Sequence, residues 1–177
     1  MTLKSTPTAY GAVAASLHWL SVLLIVALLA SGMLADQAGD PAAKASILAG
    51  HAPMGIAILI LTLVRIVWWW RFDTHPQPLP DPAWQVMTAK AVHGLLYVVV
   101  LGMAASGIGM FVLSGAGEVV FGGAALPLPD FADFTPRIPH GIGGKLLLAL
   151  VIGHAGAALY HHFIKRDATL KRMWFSR

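Results

Sequence analysis

The sequence contains no cysteine and few charged residues. The lack of cysteine excludes disulfides, thiolate-bound metals and iron–sulfur clusters. Asp, Glu, Lys and Arg together make up 11% of the 177 residues, whereas a soluble domain carries about 25%. Because 57% of the residues are hydrophobic, too few polar side chains remain to cover a soluble fold. We therefore expect one membrane-embedded domain over residues 1–177.

The hydrophobic residues lie in four long runs, at about 11–34, 47–70, 86–113 and 140–164. Each run is long enough to cross about 30 Å of hydrocarbon as a helix. The first run also has features of a cleaved signal peptide, but its length and its His18-Trp19 pair favour a retained span. The sequence thus predicts an all-α, integral membrane four-helix bundle, with residues 114–139 as an ordered cap at one end.

The basic residues predict how this bundle sits in the membrane. The net charge of +4 does not indicate nucleic acid as a partner, because the basic residues flank the hydrophobic runs. On one side of the predicted bundle lie Lys4, Arg65, Arg71, Lys90, Lys165, Arg166, Lys171, Arg172 and Arg177, and on the other only Lys44, Arg137 and Lys145. The side richer in Lys and Arg faces the cytoplasm, so both termini are expected to be cytoplasmic.

Histidines inside the predicted spans are the main candidates for function. A single membrane histidine is usually a packing residue, but several across four helices indicate a functional site. The interval from His140 to His154 is close to four helical turns, which places them on nearly the same face of one helix, about 21 Å apart along its axis. One helix therefore offers two ligands at two depths, as two stacked haem groups require. Without cysteine, both haems are held non-covalently.

Two prolines suggest how the histidines pair. Proline is tolerated in the first turn of a helix, so Pro53 and Pro139 place His51 and His140 in or near the first turns of their spans. These two histidines are the predicted ligands of the outer haem iron. His18 lies at a depth comparable to that of His154, and these two are the predicted ligands of the inner haem iron.

Other polar and small residues extend this scheme. His93 shares the inner layer, either as a hydrogen-bond partner of a haem propionate or as a replacement ligand. Arg65 follows His51 by the same four-turn interval, and it is either a propionate partner or a snorkelling residue. Gly32 and Gly107 follow His18 and His93 by that interval too. They are expected to give the outer haem close backbone approach, although glycine is common in membrane helices.

Five segments resemble the bacterial cytochrome b561 family of small di-haem membrane cytochromes. They are SLHWL at 16–20, GHAPMG at 50–55, VHGLLY at 92–97, HAGAALYHHF at 154–163 and DATLKRM at 167–173. The resemblance covers nearly the whole chain. It implies a four-helix, multi-pass protein of the bacterial inner membrane, with two haem b groups on the histidine pairs described above.

The resemblance also implies an activity. Members of this family include superoxide oxidases, which pass electrons from superoxide at the outer side to ubiquinone. It suggests that His161 lies at the quinone site, as a proton or hydrogen-bond donor or as an interfacial residue without chemistry. Lys44, Arg137 and Lys145 are candidates for attracting superoxide, although nearby acidic residues oppose this.

Two alternatives remain open on sequence alone. In the first, the protein is a non-enzymatic electron relay that receives electrons from a periplasmic donor or membrane partner, with segment 114–139 as the contact surface. Alternatively, it is a transporter or structural membrane protein without haem. Membrane lipid is the expected surrounding in every case.

Overall fold

The computed structural model describes residues 2–124 and 126–174, and within these ranges it contains helices and turns but no strand. In chain order the α-helices are α1 (Ala12–Gln37), α2 (Pro41–Arg71), α3 (Ala83–Ser114), α4 (Ala116–Val120) and α5 (Arg137–Tyr160). A π-helical turn, His161–Lys165, continues α5. The predicted all-α fold is confirmed. Arg177, counted above among the basic residues, lies outside the described residues.

The four long helices are suited to crossing a membrane. Including the π turn after α5, the spans contain 26, 31, 32 and 29 residues, which corresponds to about 39–48 Å at 1.5 Å per residue. Large apolar side chains point outward on these helices: Leu23 is 68% exposed, Val98 67% and Ile152 63%. Such surfaces are costly in water but match the hydrocarbon of a bilayer. The four predicted spans are thus present as helices, each longer overall than predicted.

One predicted boundary was wrong in a way that matters for the site. Helix α2 begins at Pro41, where the Asp40 side chain accepts a hydrogen bond from the backbone N–H of Ala43 at 2.9 Å. An Asp cap followed by proline at the first helical position is a strong start signal. Consequently Pro53 lies inside α2, and His51 lies nearly three turns from its start rather than in the first turn.

The corresponding prediction for α5 is confirmed, because that helix begins at Arg137. Pro139 is its third residue and His140 its fourth. Both loop-adjacent histidines therefore lie toward the same end of the bundle, but α2 projects further beyond its histidine than α5 does.

The two ends of the bundle differ in composition. Helix α1 packs against α2, α2 against α3, and α3 against α5. The backbone N–H of Tyr10 donates to the carbonyl of Arg172 at 3.1 Å, and Trp19 Nε1 donates to the carbonyl of Met173 at 2.9 Å. Residues 2–11, the α2–α3 connection and residues 166–174 thus share one end, called here the terminal end. The opposite loop end carries residues 38–40 and 115–136.

The segment between α3 and α5 is folded against the helices at the loop end. It contains α4 and a 3₁₀ turn at Phe131–Asp133. The Phe111 ring lies 6.2 Å from that of Phe121 and 6.5 Å from that of Phe131, measured between ring centroids. These aromatic contacts give the segment the ordered, cap-like packing that the sequence predicted.

Candidate functional site: two histidine pairs in a layered bundle

The first histidine pair lies toward the loop end of the bundle. Helix α2 supplies His51 and helix α5 supplies His140, and the structure places their imidazole centroids 6.3 Å apart with an angle of 70° between the ring planes. Both side chains are half-buried. The structure therefore brings together the two residues that the sequence paired for the outer layer.

The second pair lies toward the terminal end. Helix α1 supplies His18 and helix α5 supplies His154, and their ring centroids are also 6.3 Å apart, with an interplanar angle of 64°. The ring of His93 on α3 lies nearer still, 5.2 Å from that of His154. The inner layer thus contains three histidines instead of two.

The spacing within each pair suits two imidazoles bound to opposite sides of one metal ion. An imidazole nitrogen lies about 2 Å from a bound transition metal and about 1 Å from its own ring centre, so the two ring centroids are about 6 Å apart. Both pairs have this spacing, whereas His93 and His154 are closer than it requires. The geometry favours His18 over His93 as the partner of His154 on one ion.

An apolar layer separates the two pairs. Leu147 lies midway between His140 and His154 on α5, and it packs with Ile58 of α2 and Val100 of α3 in the buried core. Ile25 of α1 joins this cluster. Leu147 is two helical turns from each histidine, or about 10 Å along the axis. This apolar layer lies between the histidine layers and keeps water out of the space between them.

Two glycines lie directly against the loop-end pair. A Cβ atom added at Gly32 would lie 3.4 Å from Cε1 of His51, and one added at Gly107 would lie 3.3 Å from Cε1 of His140. These glycines therefore leave room beside the imidazoles that a larger side chain would fill. This is the placement that the four-turn spacing predicted for a flat macrocycle.

The imidazoles of the loop-end pair have similar hydrogen-bond partners. His51 Nδ1 lies 2.8 Å from the hydroxyl of Ser31, and His140 Nδ1 lies 3.0 Å from the hydroxyl of Ser106. His140 Nδ1 is also 3.1 Å from the carbonyl oxygen of Met103. With Nδ1 engaged on each ring, Nε2 is the nitrogen available to a metal.

Arg65 lies in the terminal half of α2. Its Nε atom is buried and has no hydrogen-bond partner among the described residues, and its guanidinium carbon lies 5.7 Å from the centroid of the Tyr97 ring. A buried, unpaired guanidinium nitrogen is costly. An anionic group on a ligand in the inner layer would satisfy it, so this residue fits a haem propionate.

His161 belongs to a polar network at the terminal end. Its Nδ1 is 2.5 Å from a carboxylate oxygen of Asp167, and Thr169 Oγ1 is 3.2 Å from the same nitrogen. Partial burial opposes ionisation of Asp167, but hydrogen bonds from Thr169 and His161 outweigh it and lower the pKa of Asp167 to about 2. The carboxylate is therefore charged at neutral pH and fixes the orientation of the His161 ring.

The same network includes a lysine. The Lys165 ammonium donates to Asp81 and lies 3.8 Å from Asp167. One ligand atom each from Asp81, His161 and Asp167 lies within 4.8 Å of the others, as metal ligands do. Because the lysine already supplies the positive charge, we interpret this cluster as an ion-pair network.

The three basic residues predicted to attract superoxide are engaged to different degrees. Arg137 pairs with Asp36 at 2.9 Å, and the Lys44 ammonium lies 5.8 Å from the centroid of the Phe131 ring. Lys145 is exposed on α5, two turns beyond Arg137. Lys44 precedes His51 by two turns of α2, so it lies about 10 Å further toward the loop end on a similar face.

Sequence reasoning assigned no role to Ser31, Ser106 or Asp167. Ser31 and Ser106 were recoverable, because a Ser-Gly dipeptide follows a histidine by nearly four helical turns in both α1 and α3. Asp167 was not recoverable from helical spacing, since it lies beyond the π turn, after Arg166 adopts a left-handed conformation with φ of 55°. That turn is what directs the chain back toward His161.

The chain is similar to known cytochromes along nearly its whole length. The family model described as prokaryotic cytochrome b561 matches residues 9–176. Cytochrome b561 homolog 2 of Escherichia coli K12 is 31% identical and aligns over 98% of this chain and 95% of its own length. A probable superoxide oxidase of Yersinia pestis, CybB, is 33% identical over 93% of this chain and 94% of its own. Cytochrome b562 of Cereibacter sphaeroides is 29% identical over 89% of this chain and 90% of its own.

The matched residues, 9–176, span all four long helices. The family implies b-type haem, which answers the haem-free alternative. The chain therefore belongs to the prokaryotic cytochrome b561 family, and it is a bacterial multi-pass membrane protein of electron transfer.

Proposed function

We propose that this protein is a di-haem cytochrome that oxidises superoxide and reduces ubiquinone, a superoxide:ubiquinone oxidoreductase of the bacterial inner membrane. The observation that carries the proposal is the recurrence of one geometry at two depths. Two imidazole pairs on the same helix, α5, have the same centroid separation of 6.3 Å. A single metal site does not need this duplication, whereas electron transfer across a membrane does.

In this proposal His51 and His140 hold one haem b, and His18 and His154 hold the other. When bound, the haems would supply reversible one-electron transfer, and the four histidines would hold them. The chain's own residues set the rest of the environment. Gly32 and Gly107 leave space beside the loop-end imidazoles, and the apolar layer around Leu147 excludes water between the two sites.

The loop end faces the periplasm in this proposal, with both termini in the cytoplasm. This follows from the excess of Lys and Arg at the terminal end. Superoxide, a small anion, approaches the loop end, where Lys44 and Arg137 raise the local positive potential, with Lys145 about 12 Å further along α5. The relative from Yersinia pestis bears the name of a superoxide oxidase, which supports this donor.

In this proposal the quinone binds at the terminal end of the bundle and receives its protons there. His161 donates a proton or hydrogen bond to a quinone oxygen from Nε2 when both ring nitrogens are protonated, while Asp167 accepts from Nδ1–H. The Arg65 guanidinium would pair with a haem propionate, which would give its buried Nε atom a partner. Two superoxide ions, one ubiquinone and two protons yield two molecules of dioxygen and one ubiquinol, so electrons and protons balance.

The experiment is steady-state reduction of ubiquinone by superoxide with purified protein in detergent or liposomes. A xanthine oxidase system supplies superoxide, and ubiquinol is followed optically. The expected result is ubiquinol formation that superoxide dismutase abolishes. A protein with normal haem spectra that forms no ubiquinol under these conditions would refute the proposed activity.

A second candidate function is a non-enzymatic electron relay that serves a periplasmic or membrane partner. The engagement of Arg137 by Asp36 and of Lys44 by Phe131 favours it, since these cations are then less available to superoxide. The segment between α3 and α5 would be the contact surface. The relay is distinguished from the oxidase if haem reduction requires an added membrane fraction and its rate does not change when superoxide is supplied.

A further inference from the structure

Two serines occupy the same position relative to the loop-end histidines. Ser31 of α1 lies beside His51 of α2, and Ser106 of α3 lies beside His140 of α5. Each serine directly precedes the glycine that contacts the same imidazole. The α1–α2 pair and the α3–α5 pair therefore present one local motif twice, on the two sides of a single site.

The hydrogen-bond pattern defines which nitrogen of His140 carries the proton. The Met103 carbonyl oxygen lies 3.1 Å from His140 Nδ1, and a carbonyl oxygen can only accept. Nδ1 must therefore carry the hydrogen. The Ser106 hydroxyl donates to the Gly102 carbonyl at 2.8 Å, so its oxygen is a further acceptor for the same N–H.

The same reasoning applies to His51 with a single acceptor. The Ser31 hydroxyl donates to the Ala27 carbonyl at 2.7 Å, with the Leu28 carbonyl at 3.2 Å. A hydroxyl has one proton, and back-bonding to the preceding turn uses it. The Ser31 oxygen is thus left to accept from His51 Nδ1–H at 2.8 Å. No backbone carbonyl shares this N–H in the hydrogen bonds of the described residues.

We propose that Ser31 and Ser106 are positioning residues for the loop-end haem: they fix the Nδ1–H tautomer of His51 and His140 and direct both Nε2 atoms at the iron. The inference rests on the proposed haem site. An imidazole that donates from Nδ1 is a more electron-rich ligand through Nε2. Each serine therefore favours ferric over ferrous iron and lowers the reduction potential of the loop-end haem.

The two serines are not equivalent, and this makes the proposal specific. Removing the Ser106 hydroxyl leaves the Met103 carbonyl as acceptor, whereas removing the Ser31 hydroxyl leaves His51 Nδ1–H without one. Ser31→Ala is therefore expected to have the larger effect. Loss of a partner of this kind costs about 10- to 100-fold in metal affinity. A tenfold change in the preference for ferric iron corresponds to about 59 mV for a one-electron couple.

The test is a potentiometric titration of both haems in the wild type, Ser31→Ala and Ser106→Ala, with low-temperature EPR of the ferric forms. Ser31→Ala should raise the potential of one haem and change its EPR g values, while the other haem is unchanged. Ser106→Ala should give a smaller change in the same haem. Ser31→Thr, which keeps the hydroxyl, should restore the wild-type potential.

The matched control is Ser21→Ala, because the Ser21 hydroxyl back-bonds to the Leu17 carbonyl at 2.6 Å in the same helix but has no imidazole partner among the described residues. It should leave the loop-end haem unchanged. A wild type with two haems whose potentials do not move in Ser31→Ala, or move equally in Ser21→Ala, overturns the inference. A wild type without two haems instead refutes the proposed function itself.

Discussion

The contact between Asp167 and His161 leads to a quantitative prediction for quinone reduction. Partial burial raises the pKa of Asp167, but hydrogen bonds from Thr169 and His161 outweigh it and lower the pKa to about 2, so the carboxylate is charged when it accepts from His161. A hydrogen bond to a charged carboxylate that is 22% exposed contributes about 1 kcal/mol after screening by water.

If Asp167 orients His161 toward the quinone, the Asp167→Asn variant loses the contribution of this hydrogen bond in the transition state. A loss of about 1 kcal/mol corresponds to about a fivefold fall in rate, and Asp167→Ala, which also removes the acceptor, should fall further. The assay follows reoxidation of pre-reduced haem by ubiquinone in a stopped-flow instrument. Haem spectra should remain as in the wild type, because Asp167 lies beyond both histidine layers.

The matched control is Asp81→Asn, which removes a negative charge from the same network but bonds to Lys165 rather than to His161. It should change the rate much less than Asp167→Asn does. Equal rate losses in the two variants would assign the effect to local charge. An unchanged rate in Asp167→Ala would refute the role of the His161 contact altogether.

Three further predictions concern the two ends of the bundle. Asp73→Ala should speed amide hydrogen exchange in residues 2–11 and lower their local stability by about 1–3 kcal/mol. The reason is that the Asp73 carboxylate accepts hydrogen bonds from the Ser5 N–H at 2.9 Å and from the Ser5 hydroxyl at 2.8 Å. Unchanged amide protection would contradict this prediction. Arg137→Ala should lower kcat/KM for superoxide severalfold and weaken the dependence of kcat/KM on salt, whereas Asp36→Ala should raise kcat/KM. Neither substitution should change the free energy of unfolding by more than about 1 kcal/mol. Equal changes of kcat/KM in the two variants would exclude electrostatic attraction. Because the pKa of Asp167 is lowered by folding, its stabilisation is present above about pH 4 and is lost as the pH falls toward about 2, so amide protection at Thr169 should decrease over that range and not near neutral pH.

The helical spacing of His140 and His154 was sufficient to predict two histidine layers on α5. His140 and His154 are on one helix, and their separation of nearly four turns fixes both their common face and their distance along the axis. Once α5 supplies one ligand to each layer, depth pairs His51 with His140 but leaves both His18 and His93 beside His154, and only the ring separations in the structure favour His18. The interval also predicted that Gly32 and Gly107 face the outer layer, since the same spacing operates in every helix of the bundle.

The start of α2 was not predicted, for a reason that is also physical. Lys44 and the small residues around it made residues 41–46 look like a connection, because the prediction followed the hydrophobic run. The helix instead begins at a capping signal, Asp40 and Pro41, and continues through Pro53. Capping residues mark where a helix starts, whereas hydrophobicity marks only the part of it that lies in the bilayer.

The side-chain network around His161 lay beyond the reach of periodicity. Its members come from the π turn after α5, from the α2–α3 connection and from the segment after Arg166, and a left-handed residue brings the last of these back to the helix. Helical spacing relates residues within one helix and cannot predict such a reversal. The sequence therefore identified His161 but not Asp167, which holds it.

The number of haems per chain tests the central claim of two histidine pairs most directly. Pyridine haemochrome analysis of purified protein should give two haem b groups per chain, and His51→Ala and His18→Ala should each retain one, with different α-band positions and different potentials. One haem in the wild type, or loss of the same haem from both variants while each remains monodisperse, would contradict the account.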